Sequence, residues 1–185
     1  MRALEVKISH IQRMLHESGG RLHDAHLLDS SIDKRSDSSS IIKVLAFEVL
    51  LKCALYANDT VWTAQIGHDY CKLWNLLPQE CQTFAVEKAA HRRPGKTDFT
   101  DIEALLTDFN RVFTRARYYY DFYEGKTLGE QTEIGNNWIQ RGADLSEAKI
   151  RYRPHEIFCL TEAMMLYLDE RLKGFISQRE ALKSE

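Results

Sequence analysis

The sequence predicts an all-α fold, an up-and-down bundle of four long helices with short helices in one connection. Apolar residues recur at helical spacing at residues 4–15 and again at residues 102–123, and residues 41–57 form an almost wholly apolar tract. No segment shows the strict alternation of apolar and polar residues that a half-buried strand needs. With 185 residues and no internal repeat, the chain is expected to form one domain over residues 1–185.

The first helix is predicted from Leu4, Ile8, Ile11 and Leu15, whose spacings of four and three place them on one face. The pair Gly19-Gly20 predicts its end, because glycine is a poor helix former. Residues 29–40 are polar and serine-rich, which is typical of a connection, and Ser38 to Ser40 can cap the next helix.

The apolar tract at residues 41–57 predicts the central helix, and it carries two charges. Glu48 and Lys52 lie one helical turn apart, which predicts an ion pair inside the bundle. Such a pair can fix the packing register of a helix or line a polar pocket, and Arg117 is expected to join it in a buried cluster. The same charges interrupt the most apolar run, so the sequence predicts no membrane-spanning helix.

Capping and helix-ending residues place the remaining elements. Asp69 is expected to cap a short helix that Pro78 ends, and Pro78 can open the next one. Thr100 and Glu103 predict a capping box for the long helix at 102–123, which Gly125 terminates.

The last part of the chain is predicted to hold an irregular excursion and one more helix. Residues 126–153 contain three glycines and few apolar residues, and they are too long for a tight turn. Pro154 suits the first turn of the final helix, which is expected to end near Gly174 or soon after.

Charge and cysteine content limit the function classes. The formal net charge is −2, so any nucleic-acid binding must come from a local basic patch. The four cysteines are scattered and no signal peptide precedes them, which predicts reduced thiols and a cytoplasmic protein. The sequence has no phosphate-binding glycine loop, and its closely spaced His and Cys pairs do not make up a tetrahedral set, so neither a cofactor nor a metal is expected.

Two sequence signatures resemble those of bacterial HEPN-like proteins. The first is FEVLLKCAL at residues 47–55 with GHDYCKLWNLLP at 67–78, and the second is RYYYDFYE at 117–124. They occur in the family's order and on helices of the expected type. The resemblance covers about residues 38–173 and implies an all-α bundle, commonly a dimer, in a superfamily tied to RNA cleavage, toxin–antitoxin pairs, antiviral defence and nucleotide binding.

HEPN ribonucleases carry an arginine followed, after four to six residues, by a histidine that exchanges protons during RNA cleavage. No histidine follows Arg117 at that distance. A matching spacing occurs at Arg21 and His26, but it precedes the central helix, where the family does not place the motif. Arg151 and His155 are separated by too few residues. The resemblance therefore implies binding with a degenerate ribonuclease motif, so that enzymatic activity stays an open question.

The candidate ligand-binding residues are charged groups on or beside the helices that carry the two signatures. They are Glu48, Lys52, His68, Arg111, Arg115, Arg117 and Glu124. Most of them also have a structural interpretation: Glu48 and Lys52 as a register-fixing pair that Arg117 can join, and His68 as a residue packed against the short helix. Arg111 and Arg115 can equally be ordinary surface.

Tyr118, Tyr119, Tyr120 and Tyr123 can stack on unpaired bases, but core or dimer packing is the favoured interpretation. Arg92, Arg93 and Lys96 form a basic loop that can touch phosphates.

Two hypotheses follow. The first is an RNA- or nucleotide-associated protein of a toxin–antitoxin or defence system. The second is a catalytically inert helical module, expected to be a homodimer, whose partner is an antitoxin or another protein.

Overall fold

The computed structural model describes residues 1–31 and 37–184, and every regular element in these ranges is helical, which confirms the all-α prediction. The α-helices are α1 (Arg2–Ser30), α2 (Ser38–Ala57), α3 (Tyr70–Asn75), α4 (Gln79–Arg92), α5 (Ile102–Arg115), α6 (Leu128–Gln140) and α7 (Pro154–Ser184). Short 3₁₀ helices occupy Ala64–Ile66, Ala116–Tyr123 and Leu145–Glu147. The predicted connection at residues 29–40 lies partly outside the described residues.

The central helix is α2, against which α1, α3, α5 and α7 all pack. Its apolar residues point in every direction, and a helix that is apolar all round is stable only when neighbours surround it. Phe47, Leu51 and Cys53 are fully buried in the resulting core. Helix α7 packs on both α2 and α4 and closes the bundle.

The first helix is longer than the sequence predicts, because α1 continues through Gly19-Gly20 to Ser30. Beyond the glycines Ala25 is fully buried, and just before them Ser18 donates a hydrogen bond of 3.1 Å to the backbone carbonyl of Ala46 in α2. Packing along α2 therefore outweighs the low helix propensity of two glycines.

The final helix also passes its predicted end. Pro154 opens α7 as expected, but the helix continues beyond Gly174 to Ser184. Just after the glycine, the ring of Phe175 lies 4.7 Å from the ammonium of Lys7 and 5.3 Å from the guanidinium of Arg171. The contact with Lys7 ties this part of α7 to the start of α1, while the contact with Arg171 lies within α7.

The long helix predicted at residues 102–123 is broken. Helix α5 ends at Arg115, the chain continues as a 3₁₀ segment, and Tyr118 has the non-helical angles φ −118° and ψ 38°. Ala116 is the last buried residue before the break, so the following turn has little tertiary burial to hold it in the α-helical form. The cap also differs from the prediction: Asp101, not Thr100, accepts a hydrogen bond from the amide of Ala104, at 2.9 Å.

The predicted excursion at residues 126–153 contains a helix. Helix α6 begins with a capping box formed by Thr127 and Glu130, yet none of its residues is buried. The segment is anchored at its end, where Arg151 and Arg153 approach the buried carboxylate of Asp108 in α5 at 3.3 and 3.0 Å. Helix α6 is therefore a peripheral element outside the core. No helix within residues 1–31 and 37–184 combines the length and the apolar character that spanning a bilayer requires.

Replacing either glycine within α1 by alanine should stabilise the protein. A Cβ at Gly19 or Gly20 would meet no atom within 4 Å, so each substitution should raise the free energy of unfolding by about 0.5–1 kcal/mol in urea denaturation. Gly125→Ala is the matched control. Because Gly125 has a φ of 76°, alanine there should lower stability. Destabilisation by both α1 substitutions would contradict a continuous first helix.

Candidate functional site

Glu48 is the centre of the candidate site. Its side chain is only 4% exposed, and each carboxylate oxygen has its own partner. Lys52, one turn later on α2, places its ammonium 2.7 Å from Oε1, while Nδ1 of His68 lies 2.7 Å from Oε2. The predicted ion pair is present. Its second partner is His68, whereas Arg117 was the expected one.

The backbone around His68 is fixed by contacts on both sides. Gly67 precedes it with a φ of 55°, a conformation that glycine adopts easily. Asp69 follows and caps α3 by accepting a hydrogen bond of 3.0 Å from the amide of Lys72. From α5, Asn110 donates a 2.7 Å hydrogen bond to the carbonyl of His68. The imidazole therefore sits on a constrained turn.

The contact with Glu48 determines the tautomer of His68. A carboxylate that is also paired with Lys52 is ionised and can only accept hydrogen bonds, so Nδ1 of the imidazole must carry the proton. In the neutral ring Nε2 then keeps its lone pair. Because the side chain is 50% exposed, Nε2 is left to hydrogen-bond with a ligand or to accept a proton.

Phe113 of α5 connects His68 to Arg117. The imidazole and phenyl ring centroids are 4.3 Å apart, and the guanidinium carbon of Arg117 lies 4.8 Å from the same phenyl centroid. Arg117 is exposed and also contacts the ring of Tyr118 at 5.1 Å. The prediction that Arg117 is buried with Glu48 is wrong, because the helix breaks at Ala116 and the arginine lies on the surface. We call Glu48, Lys52, His68, Phe113 and Arg117 the Glu48 cluster.

Three of the predicted site residues are not brought into the Glu48 cluster by any described contact. Arg111 and Arg115 are exposed, and each is two positions from Phe113, which places them about 200° around α5 from it. Glu124 follows the 3₁₀ segment, is exposed, and donates its amide to the carbonyl of Asp121 at 3.4 Å.

The tyrosines after Arg117 are on the surface. Tyr118, Tyr119 and Tyr120 are 45, 37 and 70% exposed, so the core-packing interpretation is wrong for these three. The rings of Tyr118 and Tyr120 meet edge to face with centroids 6.3 Å apart. An exposed aromatic surface therefore borders the arginine of the Glu48 cluster.

The charge of Glu48 also affects the buried phenol of Tyr70. Burial raises the pKa of its phenol well above 10, and the negative charge of Glu48 raises it further. The hydroxyl donates a 2.9 Å hydrogen bond to the carbonyl of Val44. Because the pKa of Tyr70 is raised in the folded state, the stability that the buried, protonated phenol provides is fully present below about pH 10. It is lost as the pH rises through the raised pKa.

Asp108 is a polar centre that the sequence analysis missed. It is 1% exposed at the side chain and is the shared partner of Arg151 and Arg153. The signal in the sequence that could have identified Asp108 is a single acidic residue beside the apolar face of α5. Arg151 is thus committed to Asp108, while His155 contacts Arg93 at 2.8 Å, so these two residues form no joint site.

Arg21, whose spacing to His26 matches the ribonuclease motif, forms an ion pair with Glu17 along α1 at 2.7 Å. The described residues contain no group of three or more His, Cys, Asp or Glu side chains able to hold a metal ion. The four cysteines are free thiols, and burial raises the pKa of Cys53 and Cys81 to about 12, which suppresses their reactivity at neutral pH.

The comparisons with known proteins add no relative. No family model, curated protein or solved structure matches this chain.

Glu48→Gln should destabilise the protein, because the neutral amide cannot balance Lys52 or accept as strongly from His68. Hydrogen bonds to charged groups contribute roughly 1.5–3 kcal/mol each, so a loss of about 2–4 kcal/mol is expected in urea denaturation. Glu87→Gln, on the exposed side of α4, is the matched control and should change stability by less than about 0.5 kcal/mol. Equal small effects of the two substitutions would show that Glu48 does not organise this region.

Proposed function

We propose that this protein binds single-stranded RNA through the Glu48 cluster and the neighbouring exposed tyrosines. The observation that carries the proposal is the continuous line of contacts from Glu48 through His68 and Phe113 to Arg117. The HEPN-like signatures at residues 47–55 and 117–124 supply the two ends of this line. Their resemblance supports a toxin–antitoxin or defence context for the binding.

Each part of this surface matches a part of RNA. The guanidinium of Arg117 is always charged, is exposed and can donate to phosphate oxygens. Nε2 of His68, which keeps its lone pair in the neutral ring, can accept a hydrogen bond from a ribose hydroxyl. Tyr118 and Tyr120 offer exposed rings, and stacking of bases on aromatic side chains is the usual basis of single-strand binding.

The cluster supports binding better than cleavage. Acid–base cleavage of RNA needs one group that accepts a proton and another that donates one. His68 can accept, but the remaining basic group, Lys52, is held against Glu48 at 2.7 Å. The histidine that HEPN ribonucleases place after the arginine is also missing after Arg117.

Arg117→Gln should weaken binding of a short fluorescein-labelled single-stranded RNA, measured by fluorescence anisotropy. If Arg117 contacts one phosphate, the slope of log K against log salt should fall in magnitude by about 0.7 between about 50 and 200 mM NaCl. Arg111→Gln, which removes the same charge from the far side of α5, is the matched control and should have little effect. An equal loss from both substitutions, or no RNA binding by the unaltered protein, would overturn the proposal.

A dimeric protein-interaction module is the second candidate, and the exposed tyrosines favour it. Tyrosine is enriched at protein interfaces because its ring buries apolar area while its hydroxyl keeps a partner. If Tyr118, Tyr119 and Tyr120 form a homodimer contact, sedimentation should show a dimer that persists at high salt and becomes monomeric when Tyr118 and Tyr120 are both changed to serine. A monomer at all concentrations would exclude this candidate.

A further inference from the structure

A second candidate site lies in a cavity of about 380 Å³ away from the Glu48 cluster. The end of α1, the first turns of α2, the residue after α4 and the first turns of α7 form its walls. A volume in this range suits a small organic ligand, since ligand pockets in proteins typically begin at about 300 Å³.

Thr161 is the first sign that the cavity is built for a polar ligand. Its side chain lines the cavity and the residue is 3% exposed, but its hydroxyl has no hydrogen-bond partner among the described residues. Buried hydroxyls are nearly always bonded, and threonines within helices often bond the carbonyl one turn earlier. The oxygen has almost no accessible surface in this rotamer, so a bound ligand would supply the missing partner once the side chain rotates toward the cavity.

Arg93 is the second sign, because it lines the same cavity and its guanidinium forms no ion pair with the described residues there. Both carboxylates in the wall already have cations: Asp29 pairs with Lys43, and Glu162 pairs with Arg92 at 2.7 Å. Arg93 forms no ion pair with a carboxylate in residues 1–31 or 37–184. The guanidinium of Arg93 therefore has no carboxylate within ion-pair distance in the described part of the chain and can serve an anion.

The orientation of Arg93 is fixed by two neutral contacts. Its guanidinium carbon lies 4.4 Å from the ring centroid of Phe158, and one terminal nitrogen is 2.8 Å from Nδ1 of His155. A guanidinium only donates hydrogen bonds, so Nδ1 of His155 accepts and its ring proton is on Nε2. The remaining donors of Arg93 are not used by His155 and stay available to a ligand.

The position of α7 adds to the attraction for an anion, and one part of the wall is apolar. Pro154 and His155, in the first turn of α7, border the cavity, and a helix carries partial positive charge at its N-terminus. Leu22, Ile157 and Phe158 provide apolar surface. The cavity thus combines an anion-attracting end with an apolar side.

We infer that this cavity binds a small organic anion, with a phosphate or carboxylate held by Arg93 and Thr161 and a compact apolar body against Leu22, Ile157 and Phe158. This inference does not depend on RNA binding by the Glu48 cluster. It rests on the unpartnered hydroxyl, the guanidinium without an ion pair and the mixed wall.

Calorimetric titration with phenyl phosphate, in a buffer free of other phosphates, tests the inference. Arg93→Gln should weaken binding about 10-fold or more, because it removes a charge-assisted hydrogen bond. Thr161→Val keeps the shape and removes the hydroxyl, so it should weaken binding roughly 5-fold. The matched control is Arg171→Gln, whose guanidinium also lies on a phenylalanine ring, that of Phe175, and which should leave binding unchanged.

Two further probes separate the anionic and apolar contributions. Inorganic phosphate and phenol should each bind more weakly than phenyl phosphate, because phosphate lacks the apolar ring and phenol lacks the anionic group. Amide chemical-shift changes should centre on residues 93, 155 and 161, which provides a test that does not depend on folding of the variants. The inference is overturned if phenyl phosphate does not bind, if its affinity is unaffected by both cavity substitutions, or if inorganic phosphate binds as tightly.

Discussion

A carboxylate buried in an apolar helix must have compensating partners, and the organisation of this protein around α2 follows from that constraint. Glu48 is nearly inaccessible to solvent, so an unpaired charge there would cost several kcal/mol. Lys52 compensates it from the same helix, and His68 from the turn before α3. Because α5 bonds the backbone of His68 through Asn110 and packs Phe113 on its ring, one charge couples α2, α3 and α5.

The elements that the sequence predicted well are those whose signal is local or strongly apolar. The apolar run of α2, the Asp69 cap and the Pro154 start all follow from single-residue preferences or from a clear pattern. The Glu48–Lys52 pair was also predictable, because the spacing alone places both side chains on one face.

The errors arose where tertiary packing opposed a local preference. Gly19-Gly20 was expected to end α1, but contacts such as Ser18 to Ala46 keep the helix going. Conversely, the regular apolar spacing past Ala116 was expected to continue α5, but the surrounding structure buries little of that segment. The second partner of Glu48 could not be predicted, because the approach of His68 depends on how a loop folds over α2.

The same limitation explains why the cavity was not predicted. Arg93, His155 and Thr161 belong to two segments that are separated by about sixty residues and converge only in the folded bundle. Arg93 was noted only as part of a basic loop. Its isolation from carboxylates, and the unpartnered hydroxyl of Thr161, are properties of the three-dimensional structure.

The central claim is that Glu48 holds His68 in one tautomer and thereby presents Nε2 at the surface. Long-range proton–nitrogen correlation NMR of the imidazole nitrogens measures this directly. The account predicts that the neutral ring of His68 carries its proton on Nδ1 and that Glu48→Gln abolishes this preference. A neutral ring protonated on Nε2, or a tautomer balance that is indifferent to Glu48→Gln, would contradict it.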